Sequence, residues 1–141
     1  APEQWSRFRT EPALERPCVE ELLRFDGPIQ MVERIAGSDL DTGRVSVPRG
    51  RIVVLCLAAA NRDPDVFDRP DHLDIGRDPN PHLAFGAGVH FCLGASLARL
   101  EARVALRVIA DRLPGLRLTD SRPPWRPSFT IRGLQRLPVE W

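Results

Sequence analysis

The stretch Phe85-Gly86-Ala87-Gly88-Val89-His90-Phe91-Cys92-Leu93-Gly94 constrains this chain more than any other. Apolar residues recur at helical spacing right after it, predicting a helix over about 95–113. One cysteine therefore stands at the mouth of a helix, behind two glycines, a histidine and aromatic residues. A helix N-terminus carries unsatisfied N–H groups and a partial positive charge, and both favour an anion. A thiol in such a place tends toward the thiolate, which is a metal ligand or a nucleophile. Gly86 and Gly88 permit positive φ and a close backbone approach. Gly94 leaves room for a flat, bulky group just past the cysteine, and Phe85 and Phe91 are expected to keep water from the sulfur.

No second Cys or His stands beside Cys92 at zinc-finger spacing, which argues against a structural zinc site. A lone thiolate suits one axial bond to a haem iron, whose porphyrin supplies four other ligands. The plainer alternative is a buried structural cysteine in a Gly-rich loop. The string fits F-G-x-G-x-H-x-C-x-G at every fixed position. It thereby resembles the haem-binding signature of the cytochrome P-450 family, in its soluble bacterial form. The resemblance implies haem b as cofactor, with Cys92 as the axial iron ligand. It also implies that His90, Phe85, Gly86, Gly88 and Gly94 contact the haem.

Composition narrows the function classes. The chain has 141 residues and a formal net charge of +1. Near-balance gives no reason to expect a nucleic-acid partner. Cys18, Cys56 and Cys92 are odd in number and widely spaced, which points to a reducing compartment rather than a disulfide framework. The longest apolar run, residues 52–60, is too short to span a bilayer. The opening Ala1-Pro2-Glu3-Gln4-Trp5 does not read as a basic, apolar leader. The expectation is a cytoplasmic protein with no membrane association.

Along the chain, residues 2–11 predict a short helix closed by Pro12, and residues 17–25 a second one stopped by Gly27-Pro28. Trp5 and Arg9 have the spacing of a W-x-x-x-R haem pair, but their neighbours place them on an amphipathic surface helix. In the second helix Glu21 and Arg24 stand three apart, so they share a face and can pair. The resemblance makes them the E-x-x-R motif, a buried scaffold for the segments that follow. Residues 29–36 predict a strand. By the resemblance its Arg34 holds a haem propionate, and its Met31 and Val32 pass beside substrate; a solvated strand arginine is the alternative for Arg34. A turn at 39–43, a short strand at 44–47 and a turn at 48–50 lead to a buried strand at 51–55 and a short helix at 56–61. Cys56 lies in that apolar run and is expected to be inert packing.

Residues 63–77, rich in Pro and Asp, predict an ordered loop, and the family's meander falls at 63–84. His72 stands where the family places the third member of the Glu/Arg network; an ordinary loop histidine is the other reading. Beyond Cys92, the stripe of Leu97, Leu100, Val104 and Val108 predicts a helix packed into a core. Arg99, Arg103 and Arg107 fall four apart, as a solvated face or as a docking surface for an acidic electron donor. Residues 116–119 and 129–132 predict strands. By the resemblance, Thr130 and Ile131 touch substrate; ordinary strand packing is the alternative.

The resemblance implies a mainly α fold with small β-sheets (α+β). Residues 1–141 would form one partial domain, the C-terminal haem-thiolate portion, with the cysteine loop at 85–94. It implies a monooxygenase that inserts one oxygen atom from dioxygen into a small organic substrate. A ferredoxin and its reductase would be the electron donors. No A-G-x-x-T-like helical segment appears to deliver protons; Ala36-Gly37-Ser38-Asp39 falls in a hairpin. The alternative is a truncated, non-catalytic remnant or an interaction module with weak or no haem binding.

Overall fold

The computed structural model describes residues 2–141. Helix α1 (Pro2–Thr10) leads through a 3-10 turn at Pro12–Leu14 into α2 (Glu15–Asp26). Glu3 in the first turn of α1 and Arg7 and Arg9 in its last turn complement the helix dipole. Gly27 ends α2, where a Cβ would collide with the Leu23 carbonyl oxygen. Strands β1 (Met31–Ile35) and β4 (Ile52–Cys56) pair antiparallel, with Met31 opposite Cys56 and Arg34 opposite Val53. The hairpin of β2 (Leu40–Asp41) and β3 (Ser46–Val47) lies between them. Its turn uses Gly43 at φ +76°, with the Gly43 N–H donating to Asp41 Oδ1 at 2.8 Å.

A short helix α3 (Leu57–Ala60) follows β4. Residues 61–87 then carry no regular element. A 3-10 turn at Gly88–His90 precedes α4 (Ala95–Arg112), and β5 (Arg117–Leu118) pairs with β6 (Val139–Glu140). The architecture is helices with three small two-stranded sheets. The core sits where α1, α2, the long loop and α4 meet: Phe8, Cys18, Ile75 and Ala110 are buried, with Trp5, Leu14 and Leu106 packed against them. Trp5 stacks on Phe8 at 5.6 Å within that core, and Arg9 donates to the Pro114 carbonyl at 3.2 Å. Both belong to packing and surface, as the sequence context indicated. Among the described residues no helix is long and apolar enough to cross a membrane.

Four expectations need correction. The strand expected to be buried is largely exposed, with Ile52 at 65% and Val54 at 49%. Cys56 is exposed as well, at the N-cap of α3 rather than in packing. A two-stranded ribbon needs a second layer to cover its apolar side, and β1–β4 pairs with no further strand. The α4 stripe is also open: Leu97, Leu100, Val104 and Val108 are all exposed, and α4 reaches the core through Leu106 and Ala110. Residues 129–132 form no strand. Ile131 makes a single bridge to Ile29, flanked by hydrogen bonds from the Gln30 N–H to the Thr130 carbonyl and from the Arg132 N–H to the Pro28 carbonyl. Pro28 has no N–H to return, which stops a ladder from growing there.

Candidate functional site

The cysteine loop is closed by its own backbone. The Cys92 N–H donates to the Phe85 carbonyl at 2.9 Å, the Gly86 N–H to Leu83 at 2.8 Å and the Phe91 N–H to Gly88 at 3.0 Å. These bonds need left-handed backbone at Gly86 (φ +72°) and Gly88 (φ +68°), where a side chain would be strained. The Cys92 carbonyl accepts from the Ala95 N–H at 3.2 Å, so the cysteine leads directly into α4. A Cβ at Gly94 would lie 3.9 Å from Cys92 Sγ.

Cys92 is exposed, and so are His90 and Phe91. Neither Phe85 nor Phe91 shields the sulfur as expected. Phe85 is held in the loop's interior, between His82, Phe91 and Arg99. Val89 and Leu93 are almost fully exposed, at 97% and 102%, and Leu97 at 59%. An outward thiol on a glycine-shaped loop with bare apolar neighbours fits a flat apolar group held by one axial sulfur. Among the described residues no cluster of three His, Cys, Asp or Glu side chains could hold a metal ion instead. The residues present therefore fit haem.

The other expected contacts come from segments outside the cysteine loop. Arg34 is exposed in β1 and donates to the Glu33 carbonyl at 2.7 Å. Met31 and Val32 are half-buried, and the Ile29–Ile131 bridge brings Thr130 and Ile131 beside the start of their strand. Those two segments, separated by about a hundred residues in sequence, are neighbours in the fold.

Glu21 and Arg24 form the most buried polar pair, at 0% and 1% exposure. Arg24 Nε donates to Glu21 Oε2 at 2.7 Å and Nη2 to Oε1 at 2.8 Å. The guanidinium also donates to the carbonyls of Asn61, Pro70 and His72 at 2.8, 2.9 and 3.3 Å. Glu21 in turn accepts from the Asp74 N–H at 2.9 Å, Arg77 Nε at 3.1 Å and Asn80 Nδ2 at 3.2 Å. Burial pushes the Glu21 carboxyl up, but the Arg24 and Asp74 hydrogen bonds and the charges of Arg24 and Arg77 outweigh it and hold it below the usual range. His72 differs from expectation. Its ring is exposed, with Nδ1 3.0 Å from the Leu73 carbonyl, and only its own carbonyl joins the network. The side chain that completes the group is Arg77, the last residue of the loop predicted over 63–77.

A second cluster was not foreseen. Glu20 accepts a forked pair of bonds from Arg99, Nε to Oε1 at 2.8 Å and Nη2 to Oε2 at 2.9 Å. His82 Nε2 lies 2.9 Å from Glu20 Oε2. Burial pushes the Glu20 carboxyl up, and the hydrogen bonds from Arg99 and His82 more than reverse it. The Arg99 guanidinium is held above its ordinary value, first by its hydrogen bonds to Glu20. Of the arginines four apart on α4, Arg99 and Arg107 thus have acidic partners, Arg107 meeting Asp111 at 2.5 Å and Glu15 at 3.8 Å. Arg103 lines a groove with Arg16 of α2. Glu20 and Arg99 are separated by 79 positions, and no local pattern links them.

Comparison with known proteins agrees with this geometry. The family model described as Cytochrome P450 matches residues 12–113. The biotin biosynthesis cytochrome P450 of Bacillus subtilis (strain 168) is 49% identical over 138 residues, covering 98% of this chain and 35% of that protein. Nocardicin C N-oxygenase of Nocardia uniformis subsp. tsuyamanensis is 49% identical over 144 residues, covering 99% of this chain and 36% of that protein. The crystal structure of P450BioI in complex with hexadec-9Z-enoic acid ligated acyl carrier protein matches with a TM-score of 0.95 and 49% identity, over 100% of this chain and 36% of that one. The chain spans about a third of the length of these relatives.

Proposed function

Since the chain belongs to the cytochrome P450 family, we propose that it supplies the haem-thiolate side of a monooxygenase. The observation that carries this reading is the cysteine loop. Its backbone bonds and two left-handed glycines present an exposed Cys92 among bare apolar side chains at the entry to α4. When bound, haem b supplies the dioxygen and redox chemistry, and a thiolate ligand favours O–O cleavage.

This chain's own residues do the holding. Cys92 Sγ would ligate the haem iron. Gly86, Gly88 and Gly94 would let the porphyrin approach the backbone, with Phe85 bracing the loop. His90 and Arg34 would donate to the propionates. Met31 and Val32, with Thr130 and Ile131 beside them, contact a small organic substrate. Glu21, Arg24 and Arg77 tie α2 to residues 61–80 and keep the loop's approach fixed. A ferredoxin and its reductase deliver electrons in the cytoplasm. The relatives differ in what their names record, one an N-oxygenase and another in complex with an acyl carrier protein. The family match therefore bears on the reaction type more than on the substrate.

The test is spectroscopic. Haem-loaded, reduced chain under CO should give a Soret band at the thiolate position, and Cys92→Ala should abolish it. A histidine-type band, or no haem uptake, would overturn the reading. One observation favours a second reading, a non-catalytic interaction module. The apolar faces of α4 and β4 are uncovered in this chain. That reading predicts no product with a reductase system even when haem is bound.

A further inference from the structure

The cluster at Glu20 reaches the ligand loop by two routes. His82 is almost wholly buried, with 3% of its side chain exposed. Its Nδ1 faces the Ala84 N–H at 3.2 Å and so accepts. The ring proton then sits on Nε2 and is donated to Glu20 Oε2. This fixes both the tautomer and the ring plane two residues ahead of Ala84. On the other route, the Arg99 guanidinium forked onto Glu20 lies over the Phe85 ring, 4.5 Å from its centroid. The Phe85 ring is also 6.2 Å from His82 and 6.3 Å from Phe91. Phe85 is the residue whose carbonyl accepts the Cys92 N–H.

One carboxylate thus holds a cation and an imidazole beside a single phenyl ring, whose backbone fixes the cysteine. Glu20 is three-tenths exposed and Arg99 about a third exposed, so the cluster adds little as a surface ion pair. What it contributes is geometry, because a forked guanidinium–carboxylate contact restricts both planes. We propose that Glu20 is a positioning residue for the sulfur of Cys92, acting through Arg99 and His82 on Phe85. This rests on the haem-thiolate reading above. Outer partners of a metal ligand typically change metal affinity by roughly 10- to 100-fold when removed.

Glu20→Gln keeps the side chain's shape and removes its charge, and Arg99→Lys keeps the charge but loses the fork. In the haem-loaded chain both should speed haem dissociation by roughly tenfold. Both should also shift the haem reduction potential and convert part of the thiolate-type CO band. In the haem-free chain, amide exchange at Ala84 and Cys92 should accelerate while α4 keeps its protection. Glu140→Gln, at the surface Arg117–Glu140 pair, should change none of these. Unchanged dissociation, potential and loop exchange in Glu20→Gln would overturn the proposal. Global loss of helicity would overturn it too, since Glu20 would then be a fold element and not a local brace. Failure of the unaltered chain to take up haem overturns the haem-thiolate reading, and loop exchange then decides the brace alone.

Discussion

Glu20 and Glu21 are consecutive residues of α2, and their environments have little in common. The Glu21 side chain is fully buried and meets Arg24, Arg77, Asn80 and the Asp74 backbone. The Glu20 side chain is 29% exposed and meets Arg99 and His82. Adjacent helical positions point about 100° apart, so one faces the 61–80 loop and the other faces α4 and the segment ahead of the cysteine. Arg24 gives three of its bonds to backbone carbonyls of a segment with no helix or strand. Those carbonyls have no ladder partner, so the guanidinium stands in for secondary structure there. Arg99 gives its bonds to Glu20 and its face to Phe85. The first acid shapes a fold; the second braces a site.

The comparison breaks most visibly at Glu21. Removing one partner of a buried ion pair leaves an uncompensated charge, at a cost of about 3–5 kcal/mol. Glu21→Ala should therefore remove a large share of the roughly 5–15 kcal/mol margin of a typical domain. Denaturant midpoints by circular dichroism will show it. A loss under about 1 kcal/mol would mean that water reaches Arg24 and that the two acids are alike.

Cys18 sharpens the contrast next, because it lies three residues before Glu21 on the buried side of α2. Burial, then the Glu21 charge, pushes its thiol from 9.0 up to about 11. The fold therefore keeps the thiol protonated to a higher pH than the unfolded chain does. Stability is fully present below the unfolded value and is lost as pH rises through 9 toward about 11. Two pKa units correspond to about 3 kcal/mol. The chain makes this measurable, since it has no tyrosine and every one of its basic Lys/Arg positions is arginine. Replacing Cys56 and Cys92 by serine leaves Cys18 as the one thiol, followed by thiolate absorbance. In Glu21→Gln its midpoint should move down part of the way, because burial is the larger cause. Glu20→Gln should leave it in place.

What the sequence disclosed follows the same division. Features set by neighbours in the chain were legible: the stop of α2 at Gly27, the start of α4 past Gly94, and the shared face of Glu21 and Arg24, whereas α2 begins at Glu15, two residues before the expected Pro17. Features set by distant segments were not. Arg77 and Asn80 meet Glu21 across 56 and 59 positions, and nothing near them marks the contact. His72 joins through a carbonyl, which every residue type possesses. The apolar period of α4 looks the same whether the stripe is covered or bare. The missing strand at 129–132 did have a signal, since Pro28 stands opposite and lacks a donor N–H.

The smallest effect comes from a pair as short as the strongest one. Arg62 Nη1 meets Asp71 Oδ1 at 2.7 Å, the same distance as Arg24 Nε to Glu21 Oε2. Asp71 is 86% exposed, so water replaces whatever the carboxylate gives up. Arg62 also keeps two other holds: Nη2 donates to the Phe25 carbonyl at 2.7 Å, and its guanidinium lies over the Phe25 ring at 4.1 Å. Asp71→Ala should therefore cost under about 0.5 kcal/mol, while Arg62→Ala, which removes those holds, should cost about 1 kcal/mol. Denaturant midpoints of the two variants and their double mutant separate the terms. A coupling energy above about 1 kcal/mol would show that distance, and not burial, ranks the acid–arginine pairs of this fold.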